Sequence, residues 1–436
     1  MYKSNFRDLR KSKRMLKRAP IVTILGHVNH GKTTLLDHVH RTHVAATEHG
    51  GITQHIRAFH LPSTSTPHGG GVGLTFIDTP GHAAFSNLRS RGALLTDLIL
   101  LVVALDDGPL ETTREAVHLI KSNKLPCVMT LTKSDVFSEY ELPERIRKVL
   151  SLMKELDVTA EALGGPVQAV PVSARSGHNI PLLLQAIETE AEMLDLQYDP
   201  TAPFEGGVME VREDAKLGGV LAAVIGKQGV LRPGQFLAAE GSFAKVRSIL
   251  DDKHRHLLSL PPAVPALITG WKQPLNAGSS LQVLPTQEEA EQLAREFMVE
   301  RALDPEVLRA RRRQEDLIKR QRAYDIKLGI SRPRTSFEYK EEGEYDASVL
   351  LKTDTMGSYE AISRELQEKC PRLRLIPSAD PLSPLSLVEE KLLAATPKAH
   401  CFMFNQATNV KARNVLSFNS IYDLIDKVLI ACNCCL

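Results

Sequence analysis

The sequence has no apolar run approaching the ~18–20 residues that a membrane-spanning helix requires, so no membrane partner is expected. It also lacks the apolar centre of a secretory signal. Residues 1–19 carry Lys3, Arg7, Arg10, Lys11, Lys13, Arg14, Lys17 and Arg18 against one acid, Asp8. Export is not expected; such a basic arm suits a solvated leader, part of an import signal or a contact for RNA phosphates. Cysteine is scarce, and Cys127, Cys370, Cys401, Cys432, Cys434 and Cys435 form no disulfide framework, which suits a reducing compartment. The Cys432-x-Cys434-Cys435 ending has no second ligand pair and reads as an unstructured tail. Neither charge sign dominates: 54 Lys and Arg stand against 52 Asp and Glu, and the balance conceals an uneven distribution along the chain. The 436 residues are enough for about three domains of ordinary globular composition.

What is present begins with Gly26-His27-Val28-Asn29-His30-Gly31-Lys32-Thr33, which fits the pattern G-x-x-x-x-G-K-[ST]. A β-branched apolar run, Ile21–Leu25, precedes it, and Thr34-Leu35-Leu36-Asp37-His38-Val39 reads as the opening of a helix. Glycines let a backbone wrap a polyphosphate, while N–H groups and the helix dipole meet its charge. Lys32 is placed to reach β- and γ-phosphates, and the Thr33 hydroxyl to take a place on Mg²⁺. The bland alternative is a Gly-rich turn between a strand and a helix.

Strand and helix patterns then alternate to about Leu196. Apolar runs at Val72–Ile77, Leu98–Ala104, Pro126–Leu131 and Val167–Val172 predict strands; Glu111–Asn123, Pro143–Leu156 and Ile180–Leu194 predict helices. The alternation predicts a mainly parallel sheet with helices on both faces, whose ligands bind at the carboxyl ends of the strands. Chemistry-bearing residues fall at those ends. Asp78-Thr79-Pro80-Gly81-His82 offers a carboxylate for a magnesium shell and a glycine that can approach a γ-phosphate. Thr132-Lys133-Ser134-Asp135 offers a carboxylate that can accept two hydrogen bonds from guanine, and Ser173-Ala174-Arg175 offers backbone N–H groups to its O6. Each motif alone is weak. In this order, each on a strand end after a P-loop, they indicate guanine-nucleotide binding.

The P-loop with Asp78-Thr79-Pro80-Gly81-His82 resembles translational GTPases. Gly50-Gly51-Ile52-Thr53-Gln54-His55-Ile56 and the continuation Ala83-Ala84-Phe85 narrow the resemblance to bacterial-type translation initiation factor 2. Gly270-Trp271, Pro274 and Ala277-Gly278 resemble its mitochondrial branch, and the likeness runs from about Arg18 to Asp426. The resemblance implies GTP and GDP as ligands, Mg²⁺ as cofactor, and ribosome-stimulated GTP hydrolysis in the mitochondrial matrix. It implies Thr53 as the switch threonine on Mg²⁺ beside Thr33 and Asp78, and Gly81 as part of the second switch. It implies His82 as the residue orienting the attacking water, with Val28 in the apolar gate beside it. Thr34 joins the nucleotide-binding set. Two positions depart from the family: Asn29 stands where it has Asp, and Thr132 where it has Asn.

The implied fold class is α/β: a P-loop GTPase domain followed by a small β-barrel, a helical connector and a smaller α/β domain. The expected divisions are a basic arm at 1–19, the GTPase domain at 20–196 and the barrel at 197–286. A charged helical connector at 287–345, with its Arg309, Arg311, Arg312, Arg313, Lys319, Arg320 and Arg322 run, and an α/β domain at 346–436 follow. Barrel strands are expected at Val220–Ile225, Phe236–Ala238 and Ala244–Arg247. Expected partners are the small ribosomal subunit and ribosomal RNA, with the chain a monomer. The family continues into a last barrel that holds initiator formyl-methionyl-tRNA, so contact with that tRNA is not expected of this stretch. The alternative reading is a catalytically weak GTP-binding regulator that docks on ribosomes without delivering tRNA. An elongation factor is the other rival, disfavoured by Gly50–His55.

Overall fold

A computed structural model describes residues 15–40, 56–62, 72–80, 95–214, 219–271, 275–303, 347–370, 373–376, 378, 380–396, 399–406 and 415–431. The first unit runs β1 (Leu16–Lys17), β2 (Ile21–Gly26), α1 (Lys32–His40), β3 (Arg57–Leu61), β4 (Leu74–Asp78) and β5 (Leu98–Ala104). It continues with α2 (Glu111–Ser122), β6 (Cys127–Thr132), α3 (Leu142–Glu155), β7 (Ala169–Pro171), α4 (Ile180–Met193) and β8 (Gln197–Tyr198). Six strands form one sheet in the order β3-β4-β2-β5-β6-β7, parallel except at the β3–β4 edge.

The period of the strand decides the layering. Leu98, Leu100 and Val102 of β5 join a core with Leu35 and Leu36 of α1 and Leu183 and Ile187 of α4. Their neighbours Ile99, Leu101 and Val103 join the opposite core with Val117 and Ile120 of α2 and Val149 and Met153 of α3. Every residue of β5 is buried, as a doubly covered parallel strand must be. The expected strand from Val72 starts only at Leu74. Gly73 sits at φ +84 and a side chain there would strike the Leu61 carbonyl, so the chain turns into the sheet at that point.

The second unit is an eight-stranded antiparallel sheet: β9 (Glu205–Asp214), β10 (Gly219–Gln228), β11 (Phe236–Ala239), β12 (Ser242–Lys245), β13 (Ile249–Leu250), β14 (His256–Leu257), β15 (Pro265–Thr269) and β16 (Ser280–Leu284). An isolated bridge joins Ala244 of the end strand β12 to Trp271, just past β15, so the sheet curls around one core in the barrel arrangement expected. One strand is corrected. Ala244–Arg247 does not form a single ladder, because Val246 exchanges hydrogen bonds with the turn at Gly234 and Gln235 while Arg247 donates to Thr269. The chain changes partners there, as at a barrel corner. A register shift opposite Ala223 and Val224 bulges β9, leaving Val208 and Val211 in the barrel core while Met209 joins a different cluster.

After α5 (Gln287–Leu303), the third unit holds β17 (Ala347–Thr353), α6 (Met356–Lys369), β18 (Leu373–Ile376), α7 (Leu387–Ala395), β19 (Ala399–Phe404), β20 (Val415–Phe418) and α8 (Ile421–Ala431). Its sheet, β18-β17-β19-β20, is wholly parallel. The basic run from Arg309 to Arg322 and the terminal cysteines lie outside the described residues.

One cluster ties the units together. Ile21 and Ile77 of the first pack with Met209, Ile225 and Ala263 of the second and with Val349, Ile362 and Phe404 of the third. The Thr75 hydroxyl donates to the Ala263 carbonyl, and the Gly357 N–H donates to Glu210 Oε1 at 3.0 Å. Arg18 and Asp97, both nearly buried, pair at 2.7 Å where β1 leads into β2.

Within the third unit, the Lys352 side chain is fully buried and its three donors are satisfied by Glu389 at 2.8 Å, Ser378 Oγ at 2.9 Å and the Asp380 carbonyl at 2.7 Å. Burial alone would raise the Glu389 carboxyl. Hydrogen bonds from Lys352, the Ser386 N–H and the Ser378 and Ser386 hydroxyls outweigh it and hold the pKa at about 2. A depressed carboxylate stabilises the fold above its ordinary pKa of 4.5, and that contribution is lost as pH falls toward about 2. Glu389→Gln should therefore cost about 3 kcal/mol at neutral pH, in the range for breaking a buried pair. Urea unfolding against pH should show the gap from the parent protein narrowing through that window; parallel curves would contradict the assignment.

Candidate nucleotide site

The carboxyl ends of β2, β4, β5, β6 and β7 share one edge of the first sheet, and the loops that leave them build the site. After β2 the chain closes a tight loop with Asn29 at φ 64 and Gly31 at φ +83 before α1 starts at Lys32. Asparagine is among the few residues that adopt a left-handed backbone readily, which makes Asn29 compatible with this turn. Gly26 has no room for a side chain, because a Cβ would strike the Val102 carbonyl of β5. Lys32 is buried, and its ammonium folds back on the loop, donating to the carbonyls of Gly26 at 3.0 Å and His27 at 2.7 Å. Val28 and Thr33 are half-buried; Asn29 and Thr34 are exposed.

His30 is the buried side of the loop. Burial lowers its pKa to about 4, so the ring is neutral at physiological pH, with Nδ1 3.3 Å from the Ala104 N–H. His27 is lowered too, by burial and then by the nearby Lys32 charge, and its Nδ1 lies 2.8 Å from Thr112 Oγ1 on α2. A His whose folded pKa is depressed stabilises above its unfolded pKa, so acidification through 6.5 toward about 4 should weaken this loop.

The strand ends carry the other motifs. Asp78 is the last residue of β4 and is buried, and the next residue, Thr79, donates its hydroxyl to the Ile24 carbonyl at 2.8 Å. Thr33 and Asp78 line one cavity of about 810 Å³, where the first two units and Thr355 of the third meet. Two oxygen ligands of the types Mg²⁺ takes thus face one space, and the donor set fits that ion. At the end of β6, the Thr132 hydroxyl donates to the His30 carbonyl at 2.6 Å, tying that strand end to the P-loop. Lys133 follows at φ 62, and Asp135 is exposed on the short turn Ser134–Val136. The Ser134 N–H donates to Val172 at 3.2 Å, linking this loop to the one after β7. There Ser173 is buried with its Oγ accepting from the Ser176 N–H at 3.1 Å; Ala174 is half-buried and Arg175 exposed.

The structure therefore gathers residues 26–34, Asp78, residues 132–135 and residues 173–175 at one edge. Thr53, Gly81 and His82 lie outside the described residues. Among the other histidines, His60 Nδ1 lies 2.9 Å from Thr75 Oγ1 and His40 packs its ring on Phe59 at 4.5 Å. Sequence reasoning passed over Asp106 and Asp107, which follow β5 at the same edge. Lys133 Nζ lies 2.6 Å from Asp106 and 3.5 Å from Asp107. An acidic pair directly after a buried strand was the available signal.

Residues 17–193 match the family model described as the elongation factor Tu GTP binding domain. The human protein named translation initiation factor IF-2, mitochondrial, is 39% identical over 367 residues, covering 79% of this chain and 49% of the relative. The mouse protein of the same name is 40% identical over 371 residues with the same coverage. Over the matched residues this chain is similar to translation initiation factor 2 proteins. It spans about half the length of the curated relatives it matches. Among solved structures, GDP-bound aIF5B from Aeropyrum pernix is 26% identical with a TM-score of 0.53, over 96% of this chain and 75% of the other. A bacterial selenocysteine-specific elongation factor, at 19% identity and a TM-score of 0.50 over 61% of this chain and 45% of the other, shares the fold alone. The parallel sheet, the barrel and the P-loop occur together in this chain, and the Thr132 hydroxyl makes the tie to the loop.

Thr132→Val keeps the shape of the side chain and leaves the His30 carbonyl without its donor. It should destabilise the first unit by about 1–2 kcal/mol, while Thr132→Ser stays within a few tenths of the parent. Urea unfolding checks this; equal stability of the valine variant would contradict the tie.

Proposed function

We propose that this chain binds GTP and GDP with Mg²⁺ at this edge and hydrolyses GTP on ribosomes during translation initiation. The observation that supports the reading is the convergence of four motifs, those of Lys32, Asp78, Asp135 and Ser173, on strand ends at one edge of the sheet. Lys32 exchanges the Gly26 and His27 carbonyls for β- and γ-phosphate oxygens, and the N–H groups of residues 26–34 cradle the polyphosphate. Thr33, Asp78 and Thr53 would hold Mg²⁺, which would neutralise charge developing on the transferred phosphoryl group. Asp135 accepts from guanine N1–H and the exocyclic amine, Lys133 and Thr132 hold that loop, and the backbone of Ser173, Ala174 and Arg175 meets O6. Gly81 contacts the γ-phosphate; His82 orients the attacking water once a ribosome places it, with Val28 beside it.

The names of the relatives support initiation and mitochondria, and we assign the matrix as the compartment. The partners we propose are the small ribosomal subunit and its RNA, met by the barrel at 197–286 and by the basic stretches at 1–19 and 287–345. The GTPase domain is then 20–196 and the α/β unit 346–436, and the chain acts as a monomer. In this role it promotes initiator tRNA binding and subunit joining; contact with formyl-methionyl-tRNA is assigned to no residue of this chain.

Two variants test the reading. Asp135→Asn should move preference from guanine to xanthine nucleotides, which present an acceptor where guanine presents a donor; retained guanine preference in calorimetry would count against base reading by Asp135. His82→Ala should keep GTP binding and lose about 10² or more of ribosome-stimulated phosphate release. Release indifferent to both ribosomes and the substitution would overturn the assignment.

A further inference from the structure

The base-reading loop holds a non-glycine residue, Lys133, in the left-handed region at φ 62. Such a backbone costs on the order of 1–3 kcal/mol and persists only where surrounding contacts over-determine it. Two contacts fix its flanks: Thr132 Oγ1 to the His30 carbonyl at 2.6 Å, and the Ser134 N–H to the Val172 carbonyl at 3.2 Å. The third contact is made by Lys133 itself. Its ammonium is drawn to the loop after β5, 2.6 Å from half-buried Asp106 and 3.5 Å from exposed Asp107.

That acidic loop is itself braced. Asp106 Oδ1 accepts from the Asp107 N–H at 2.9 Å, and the Gly108 N–H closes a turn onto Ala104 at 2.9 Å. The Arg145 guanidinium on α3 donates to the carbonyls of both Leu105 and Asp106 and lies over the Phe137 ring at 5.6 Å. The carboxylate that meets Lys133 is therefore held from its backbone side as well. Partial burial opposes its charge, but the hydrogen bond and charge of Lys133 outweigh it, and the Asp106 carboxyl stays below the usual carboxylate range.

We infer that Asp106 is a specificity-determining positioning residue: its ion pair with Lys133 holds the left-handed turn that presents Asp135 to the nucleobase. This rests on the guanine-binding reading above and adds to it a residue outside the base-reading motif. The chemistry gives a selective consequence. Asp135 makes two hydrogen bonds to guanine but one to hypoxanthine, which lacks the exocyclic amine. A misplaced Asp135 loses most where two bonds must be aligned together. Disturbing Asp106 should then erode the preference for GDP over IDP, not weaken both alike.

The experiment is calorimetry of the full chain with GDP and IDP in Mg²⁺, for the parent, Asp106→Asn, Asp106→Glu, Lys133→Ala and the double variant Asp106→Asn with Lys133→Ala. Asp106→Asn should weaken GDP by about tenfold, the scale of one charge-assisted hydrogen bond, and IDP by distinctly less. Asp106→Glu should recover most of the GDP affinity. The double variant should match Lys133→Ala alone, since the two residues act as one unit. Equal weakening of GDP and IDP, additive losses in the double variant, or unchanged affinity in Asp106→Asn would each overturn the inference. A parent protein that binds neither nucleotide would sink the guanine-binding reading itself, and this inference with it. Thermal melts of the single variants accompany the titrations, and the glutamate variant supplies the comparison if the asparagine variant folds poorly.

Discussion

Burial of β5 on both faces is the constraint from which the rest of the arrangement follows. A strand with seven apolar residues in succession, Leu98–Ala104, has no face to offer water, so helices must cover the sheet above and below. Helical crossovers keep neighbouring strands parallel, and parallel strands deliver all their carboxyl ends to one edge. Loops of no sequence proximity, after Gly26, Asp78, Ala104, Thr132 and Pro171, are thereby made neighbours.

At that edge, short polar ties convert proximity into geometry. Thr79 reaches the Ile24 carbonyl, Thr132 the His30 carbonyl, His30 the backbone of β5, and Lys133 the acids after β5. Each binds a side chain at or just past one strand end to the backbone or side chain of a neighbouring strand or loop. The P-loop, the loop after β6 and the acidic loop after β5 are thus one connected body. Lys32 shows the same economy: its buried ammonium is satisfied by loop carbonyls, a partner set that phosphate oxygens can replace.

Much of this was legible in the sequence, for local reasons. The P-loop announces itself because glycines, lysine and threonine do their work within eight residues. The strands Leu98–Ala104 and Cys127–Thr132 are runs whose apolar composition leaves little alternative. Legibility failed where the cause lay elsewhere in the chain. The start of β4 depends on Gly73 packing on Leu61; the end of β12 depends on Val246 finding partners in a turn at Gly234. The role of Asp106 depends on Lys133 and Arg145, 27 and 39 residues away, and no spacing rule joins them. The bulge that sends Met209 out of the barrel and into the cluster joining the three units is likewise a property of pairing, not of β9 alone.

The central proposal is that this edge is a guanine-nucleotide site. Its most direct test is calorimetric titration of the unmodified chain with GDP and with ADP in the same Mg²⁺ buffer. The account predicts a one-to-one complex with GDP and at least a hundredfold weaker binding of ADP, because a site built to bond a polar edge rejects a base that mismatches it, with ratios of about 10⁴ in favourable cases. Equal affinity for the two nucleotides, or no binding of either, would contradict it.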